Sequence, residues 1–266
     1  MSLLSDVQWV SPLLSAVLVG ISAAWAVTVT PSRRYLDTYN PTISEATSHP
    51  ELPDTVSYGA LVGYCVLVWF AAVGLVEGCL HRRTGTPRDV VVRVVNLSLG
   101  CIEAICLAVA VTTVTKMLVG YLRPNFAALC APDLVGNATY LCSASPSVYE
   151  ASMVSFPSAH ACTGTACGLY STMYLLWTLY VRPRPNSISA ASMAWCRQVL
   201  FVPTLLPVVL AGAVSVSRVT DFKHHTVDIT MGTLLGLMFA ALTAVRVYAT
   251  LKPEESAATT GAAGPS

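Results

Sequence analysis

The chain has 266 residues, of which 54% are hydrophobic and 11% charged, with a net charge of +1. A soluble domain carries about 25% charged residues, and the mean hydropathy here is +0.62. These values exclude an ordinary soluble domain and imply no nucleic-acid partner. They predict an all-α, polytopic membrane helical bundle that lives in the lipid bilayer.

A spanning helix needs about 20 mainly apolar residues. Six segments qualify, at 8–30, 56–80, 92–119, 157–181, 198–216 and 226–249. They predict one six-span membrane domain over residues 1–252. The tail, 253–266, is small and polar with Pro and Gly, a composition that predicts a disordered cytosolic end.

In the first span, Ala24-Trp25-Ala26 has the form of a signal-peptidase site, and cleavage there would leave five spans. Met1 to Gln8 holds no Lys or Arg, which argues against a signal peptide. A polar outer loop from Pro31 to Pro53 follows, with Arg33, Arg34, Asp37 and Glu45. The third span contains Glu103. An acid at that depth is expected to face the bundle interior and to hydrogen-bond a neighbouring helix. The loop from Leu122 to Phe156 is the longest between spans. It holds an N-glycosylation sequon at Asn137-Ala138-Thr139. A second match, Asn96-Leu97-Ser98, sits at a membrane edge and is expected to be silent. Of nine cysteines, Cys65, Cys79, Cys101, Cys106, Cys162 and Cys167 read as small buried hydrophobes. Cys130 and Cys142 share the long polar loop and can pair if it faces an oxidising lumen.

Six spans put both termini on one side. That side carries nine basic residues: Arg82, Arg83, Arg88, Arg93, Arg182, Arg184, Arg197, Arg246 and Lys252. The other side carries six: Arg33, Arg34, Lys116, Arg123, Arg218 and Lys223. The positive-inside rule therefore predicts cytosolic termini.

Three stretches concentrate the polar chemistry on the opposite, lumenal or extracellular face. The first is Lys116 to Pro124. Lys116 and Arg123 are seven apart, close to two helical turns, which would put both on one face before Pro124 ends the helix. Two fixed cations suit a dianionic phosphate; snorkelling interfacial anchors are the plainer reading of that pair alone. The second is Pro157-Ser158-Ala159-His160. Pro157 fits the first turn of a helix, whose free N–H groups at Ser158 and Ala159 attract phosphate. His160 can give a proton to a leaving group. The third runs from Ser217 to Asp228. His224 and Asp228 are four apart, so the carboxylate can fix the imidazole tautomer and leave its other nitrogen free to attack. Arg218 can stabilise charge on a phosphoryl group. His225 and Asp221 read as supporting or solvated groups, and Lys223 as an attraction for anionic head groups. No metal constellation stands out, because Arg123 and Arg218 beside the imidazoles would oppose a cation.

The motifs Lys116-x6-Arg123-Pro124, Pro157-Ser158-x-His160 and Ser217-Arg218-x5-His224-x3-Asp228 resemble the type 2 phosphatidic acid phosphatase family. The run from Ser217 to His225, and Thr55-Val56-Ser57, are similar to its lipid phosphate phosphatase branch. The resemblance covers roughly residues 8–250. It implies hydrolysis of phosphatidate, lysophosphatidate and related lipid phosphates without magnesium or another cofactor. It also implies that His224 is the nucleophile, oriented by Asp228, and His160 the general acid. Lys116, Arg123, Ser158, Ala159 and Arg218 would hold the phosphate. Ala159 stands where the family usually has Gly. If that site needs positive φ, Ala costs roughly 1 kcal/mol; if it is helical, Ala is harmless. Two other readings keep the fold: a polyprenyl pyrophosphate phosphatase or a head-group transferase. A third is a non-catalytic lipid-binding or transport protein. Acyl-chain preference, the host membrane (endoplasmic reticulum, Golgi or plasma membrane) and oligomeric state, homo-oligomers included, are left open.

Overall fold

The structure is a computed structural model that describes residues 6–33, 35, 40, 44–81, 86–135, 139–182 and 189–260. Its elements in chain order are α1 (Val10–Thr28), α2 (Tyr58–His81), α3 (Pro87–Val119), α4 (Phe126–Cys130), β1 (Pro132–Val135), β2 (Thr139–Cys142), α5 (Pro146–Tyr149), α6 (Ala159–Tyr180), α7 (Ala190–Thr204), α8 (Leu206–Thr220) and α9 (Thr226–Thr260). The two short strands form an antiparallel hairpin with Pro132 opposite Cys142. The protein is a polytopic helical membrane bundle.

Among the described residues, five helical segments are long and apolar enough to cross a membrane: Val10–Thr28, Tyr58–Gly78, Pro87–Val119, Ala190–Thr220 and Thr226–Leu251. The expected count of six is not reached, because α6 is missing from this set. At 22 residues it is about 33 Å long, enough for a span. Its many Thr, Ser, Gly and Cys residues lower its apolarity. The reason is its position: α6 packs against α2, α3, α8 and α9, and most of its length is buried. A helix surrounded by helices needs small residues for close approach more than it needs an oily surface.

The α6–α9 contact shows this directly. A Cβ on Gly232 would lie 2.5 Å from the Ser158 carbonyl oxygen, and one on Gly236 2.6 Å from that of Cys162. Two glycines one turn apart thus let the backbones touch and fix the start of α6 against the start of α9. The Ser158 N–H then donates to the Asp228 carbonyl at 3.0 Å.

The segment expected as one span over 198–216 is two helices that meet at Leu205. Pro207, in the first turn of α8, has no N–H to continue the ladder from α7. Helix α3 starts on a capping box formed by Thr86 and Asp89, with Pro87 next. Glu103 is buried and bonds Ser11 of α1 and Arg246 of α9, so it is a partner for neighbouring helices as expected. Asn96 accepts the Gln8 N–H and donates to the Asp6 carbonyl, which leaves that sequon buried inside a contact. Helix α9 continues to Thr260, into the stretch read as a disordered tail. Arg34, Asp37, Arg82, Arg83, Asn137 and Arg184 lie outside the described residues, as do 261–266.

Candidate active site

The end of α3, the start of α6, the end of α8 and the start of α9 meet at one end of the bundle. Lys116 is in the last turn of α3. The helix stops at Val119 because Gly120 adopts φ 62°, and a Cβ there would sit 1.9 Å from the Ser32 carbonyl oxygen. Arg123 therefore lies beyond the helix. This corrects the two-turn, one-face argument for Lys116 and Arg123; Gly120, and not Pro124, ends the helix. Lys116 Nζ donates to the carbonyls of Val154 at 2.6 Å and Ser155 at 3.3 Å, which leaves one of its three protons uncommitted. The Arg123 N–H donates to the Ser152 carbonyl at 2.8 Å, and its Nε is buried without a partner. Burial lowers the Arg123 pKa, and the nearby Arg218 charge adds to this.

Ser158 is the N-cap of α6, its hydroxyl oxygen accepting the Ala161 N–H at 3.4 Å. Pro157 precedes the cap, joined to Phe156 by a cis peptide. The sequence places it in the first turn of the helix, but it lies outside, two residues before Ala159. Ala159 opens the helix and is not among the described residues with positive φ, so it bears no strain from lacking a glycine. The His160 ring packs edge-on to Tyr58 with centroids 5.3 Å apart. Its Nε2 is buried without a partner.

Arg218 is 1% exposed. Its Nη1 donates to the Val56 carbonyl at 2.7 Å and its Nη2 to Asp54 Oδ1 at 2.6 Å. Asp221 Oδ2 stands 3.4 Å from Nη1 and accepts the Thr55 N–H at 2.8 Å, while Asp221 Oδ1 accepts the Thr55 hydroxyl at 2.6 Å. Nε is buried and unpartnered. Burial raises the Asp54 pKa, but the hydrogen bond and charge of Arg218 outweigh it and hold the carboxyl below its usual value.

His224 precedes α9, so its link to Asp228 crosses the helix start and does not run along one helical face. Nδ1 is 3.4 Å from Asp228 Oδ2. The same oxygen accepts the Ser155 hydroxyl at 2.5 Å and the His225 N–H at 2.8 Å. Asp228 is 0% exposed. Burial lowers the His224 pKa, with the Lys116 and Arg123 charges adding and Asp228 opposing; the ring is thus held neutral, the form in which a nitrogen lone pair can attack. His225 Nε2 meets the Leu122 carbonyl at 3.0 Å. Lys223 is paired with Glu51, which also takes the Asn125 amide.

The structure therefore gathers Lys116, Arg123, Ser158, Ala159, His160, Arg218, His224 and Asp228 at one end, and the Arg123 charge acts on both imidazoles. Sequence reading missed Asp54, Glu51, Ser155 and the Val56 carbonyl. Thr55-Val56-Ser57 was the one signal near the first loop. Cys130 and Cys142 are joined by a disulfide at this same end. Among the described residues, no group of three His, Cys, Asp or Glu could hold a metal ion.

Residues 98–251 match the family model for the PAP2 superfamily. The chain belongs to the PAP2 superfamily. The match takes in all three motif stretches, whereas Asp54 and Val56 precede it. Among curated PAP2 relatives, phospholipid phosphatase 2 of Homo sapiens is 28% identical over 209 residues, 73% of this chain and 68% of its own length. Phospholipid phosphatase 1 of Mus musculus is 25% identical over 76% of this chain and 72% of its own. Phospholipid phosphatase-related protein type 1 of Xenopus tropicalis is 29% identical over 47% of this chain and 38% of its own. No solved structure matches the chain significantly.

Proposed function

We propose that this PAP2 protein is a lipid phosphate phosphatase that hydrolyses phosphatidate, lysophosphatidate and related monoesters through a phosphohistidine. The observation that carries this reading is the convergence of three buried, unpartnered nitrogens, Arg123 Nε, His160 Nε2 and Arg218 Nε, beside a neutral His224 backed by Asp228. Buried nitrogens normally have partners; a phosphate dianion would supply acceptors for the two guanidinium donors, and its leaving oxygen would receive the proton from His160. The names of the similar phosphatases support the same substrate class.

The chemistry follows from the geometry. Lys116, Arg123 and Arg218 bind the phosphoryl oxygens, helped by the Ser158 hydroxyl and the Ala159 N–H at the start of α6. His224 Nε2 attacks phosphorus while Nδ1–H stays on the Asp228 side. The phosphorus–alkoxide bond breaks, and His160, which takes up a proton when the phosphate dianion binds beside it, delivers that Nε2 proton to the departing glycerol oxygen. Water then attacks phosphorus and gives a proton to the now neutral His160, the nitrogen–phosphorus bond breaks, and phosphate leaves. The arginine distribution favours a lumenal or extracellular site, and a disulfide on the same end fits an oxidising compartment. In this topology α6 crosses the bilayer as a sixth span, shielded from lipid by its neighbours.

The test is phosphate release from phosphatidate in detergent micelles with a chelator present. Purified protein should turn over, vanadate should inhibit it, and His224→Ala should not turn over. Undiminished release by that variant would reject His224 as the nucleophile.

A further inference from the structure

We infer that Ser155 is a positioning residue that bridges His224 and Asp228, a role resting on the reading of His224 as nucleophile. The direct His224–Asp228 contact is 3.4 Å, longer than a good N–H···O bond of about 2.9 Å. Asp228 Oδ2 is already occupied by two closer donors, the Ser155 hydroxyl and the His225 N–H. Ser155 Oγ lies 3.4 Å from His224 Nδ1, as near as the carboxylate does. A hydroxyl has one proton and two lone pairs. With its proton committed to Asp228, Ser155 has only acceptor capacity left to offer Nδ1. The tautomer with hydrogen on Nδ1 is the one that frees Nε2 for attack. Ser155 thus selects it together with Asp228, and a hydroxyl polarised by a carboxylate is a stronger acceptor than a free one.

The serine is held where this requires. It is fully buried. Its N–H donates to the Tyr121 carbonyl at 2.8 Å, and its carbonyl accepts Lys116 Nζ at 3.3 Å. Lys116 therefore has two tasks, a cation for phosphate and a pin for the segment that carries Ser155. As phosphorus bonds to Nε2 the ring becomes positive, and the Nδ1–H bonds to Ser155 and Asp228 strengthen. That gain is made during phosphoryl transfer and not on substrate binding, so it belongs in kcat. No substrate atom needs to touch Ser155.

The experiment compares Ser155→Ala, Ser155→Cys and His224→Ala in the full-length protein in micelles, with kcat measured on the folded fraction isolated by size exclusion. Cysteine keeps the side-chain shape but is a weak donor. Both Ser155 variants should lose roughly 10- to 100-fold in kcat, the scale of a lost hydrogen bond to a charged group. KM should stay within about twofold, and Ser155→Cys should melt like the parent. If His224→Ala retains activity, the nucleophile reading falls and the bridge with it. If His224→Ala is inactive while both Ser155 variants keep kcat, the bridge alone is overturned. A loss confined to KM, or failure of both variants to fold, assigns Ser155 to substrate binding or to the scaffold and also overturns it.

Discussion

Two ends of the bundle bury arginine beside carboxylate, with opposite outcomes. At the end away from the motifs, Glu77 Oε1 accepts the Tyr174 hydroxyl at 2.8 Å and Arg182 Nη1 at 2.7 Å. Its Oε2 accepts Arg182 Nη2 and Arg93 Nη1, each at 3.3 Å. Both carboxylate oxygens of Glu77 are satisfied. At the motif end, Asp54 and Asp221 take part of Arg218, yet nitrogens of Arg123, His160 and Arg218 stay buried and unpaired. The same residue types surround a fully bonded carboxylate at one end, and at the other leave nitrogens of two cations and an imidazole open toward one point.

The contrast is sharpened by removing one group from each end. The largest effect is expected for His224→Ala, at least roughly 1,000-fold in kcat, because the bond-forming atom is gone; phosphate release in micelles measures it. Arg218→Ala should cost about 100- to 1,000-fold in kcat/KM, the scale of a lost transition-state donor, with a melting temperature that falls as Asp54 and Asp221 lose their partner. Glu77→Gln should act in the reverse way. It removes the carboxylate charge opposite the buried Arg182, and breaking such a pair destabilises by about 3–5 kcal/mol, while the kcat of the folded fraction stays unchanged. A large fall in kcat with an unchanged melting temperature would merge the two ends into one functional unit. Acid should act on the motif end through His224. Burial holds the His224 pKa below its ordinary 6.5, so loss of kcat/KM through protonation of this ring should begin below pH 6.5 and grow as pH falls. Activity declining from a higher pH under saturation-corrected conditions would contradict a neutral, buried imidazole. The smallest effect is expected at Ala159. Because it opens a helix, Ala159→Gly should change kcat by less than about threefold, with slightly lower stability.

How much of this was legible in sequence depended on the range of the interaction. Apolar runs gave the helices and their order. Motif spacing, read with the alternation of sides, gave the eight residues that gather at one end. Local details failed where a helix boundary was misplaced: Gly120 ends α3 as a left-handed glycine cap, a local stop signal passed over in favour of Pro124. Pro157 was read into α6, yet the helix begins at Ala159 with Ser158 as its cap. The apolar count for α6 failed for a packing reason, since its Thr, Gly and Cys face other helices. Asp54, Glu51 and Ser155 carried no motif. Their importance comes from side chains more than sixty residues away in sequence, and only the folded chain brings them together.

The most direct test is to trap the covalent state. Protein mixed briefly with phosphatidate labelled in its phosphate, then quenched in alkali, should carry acid-labile, alkali-stable label on the peptide containing His224. The His224→Ala variant should carry none. Label on a different residue, or label that survives in the variant, would contradict the account.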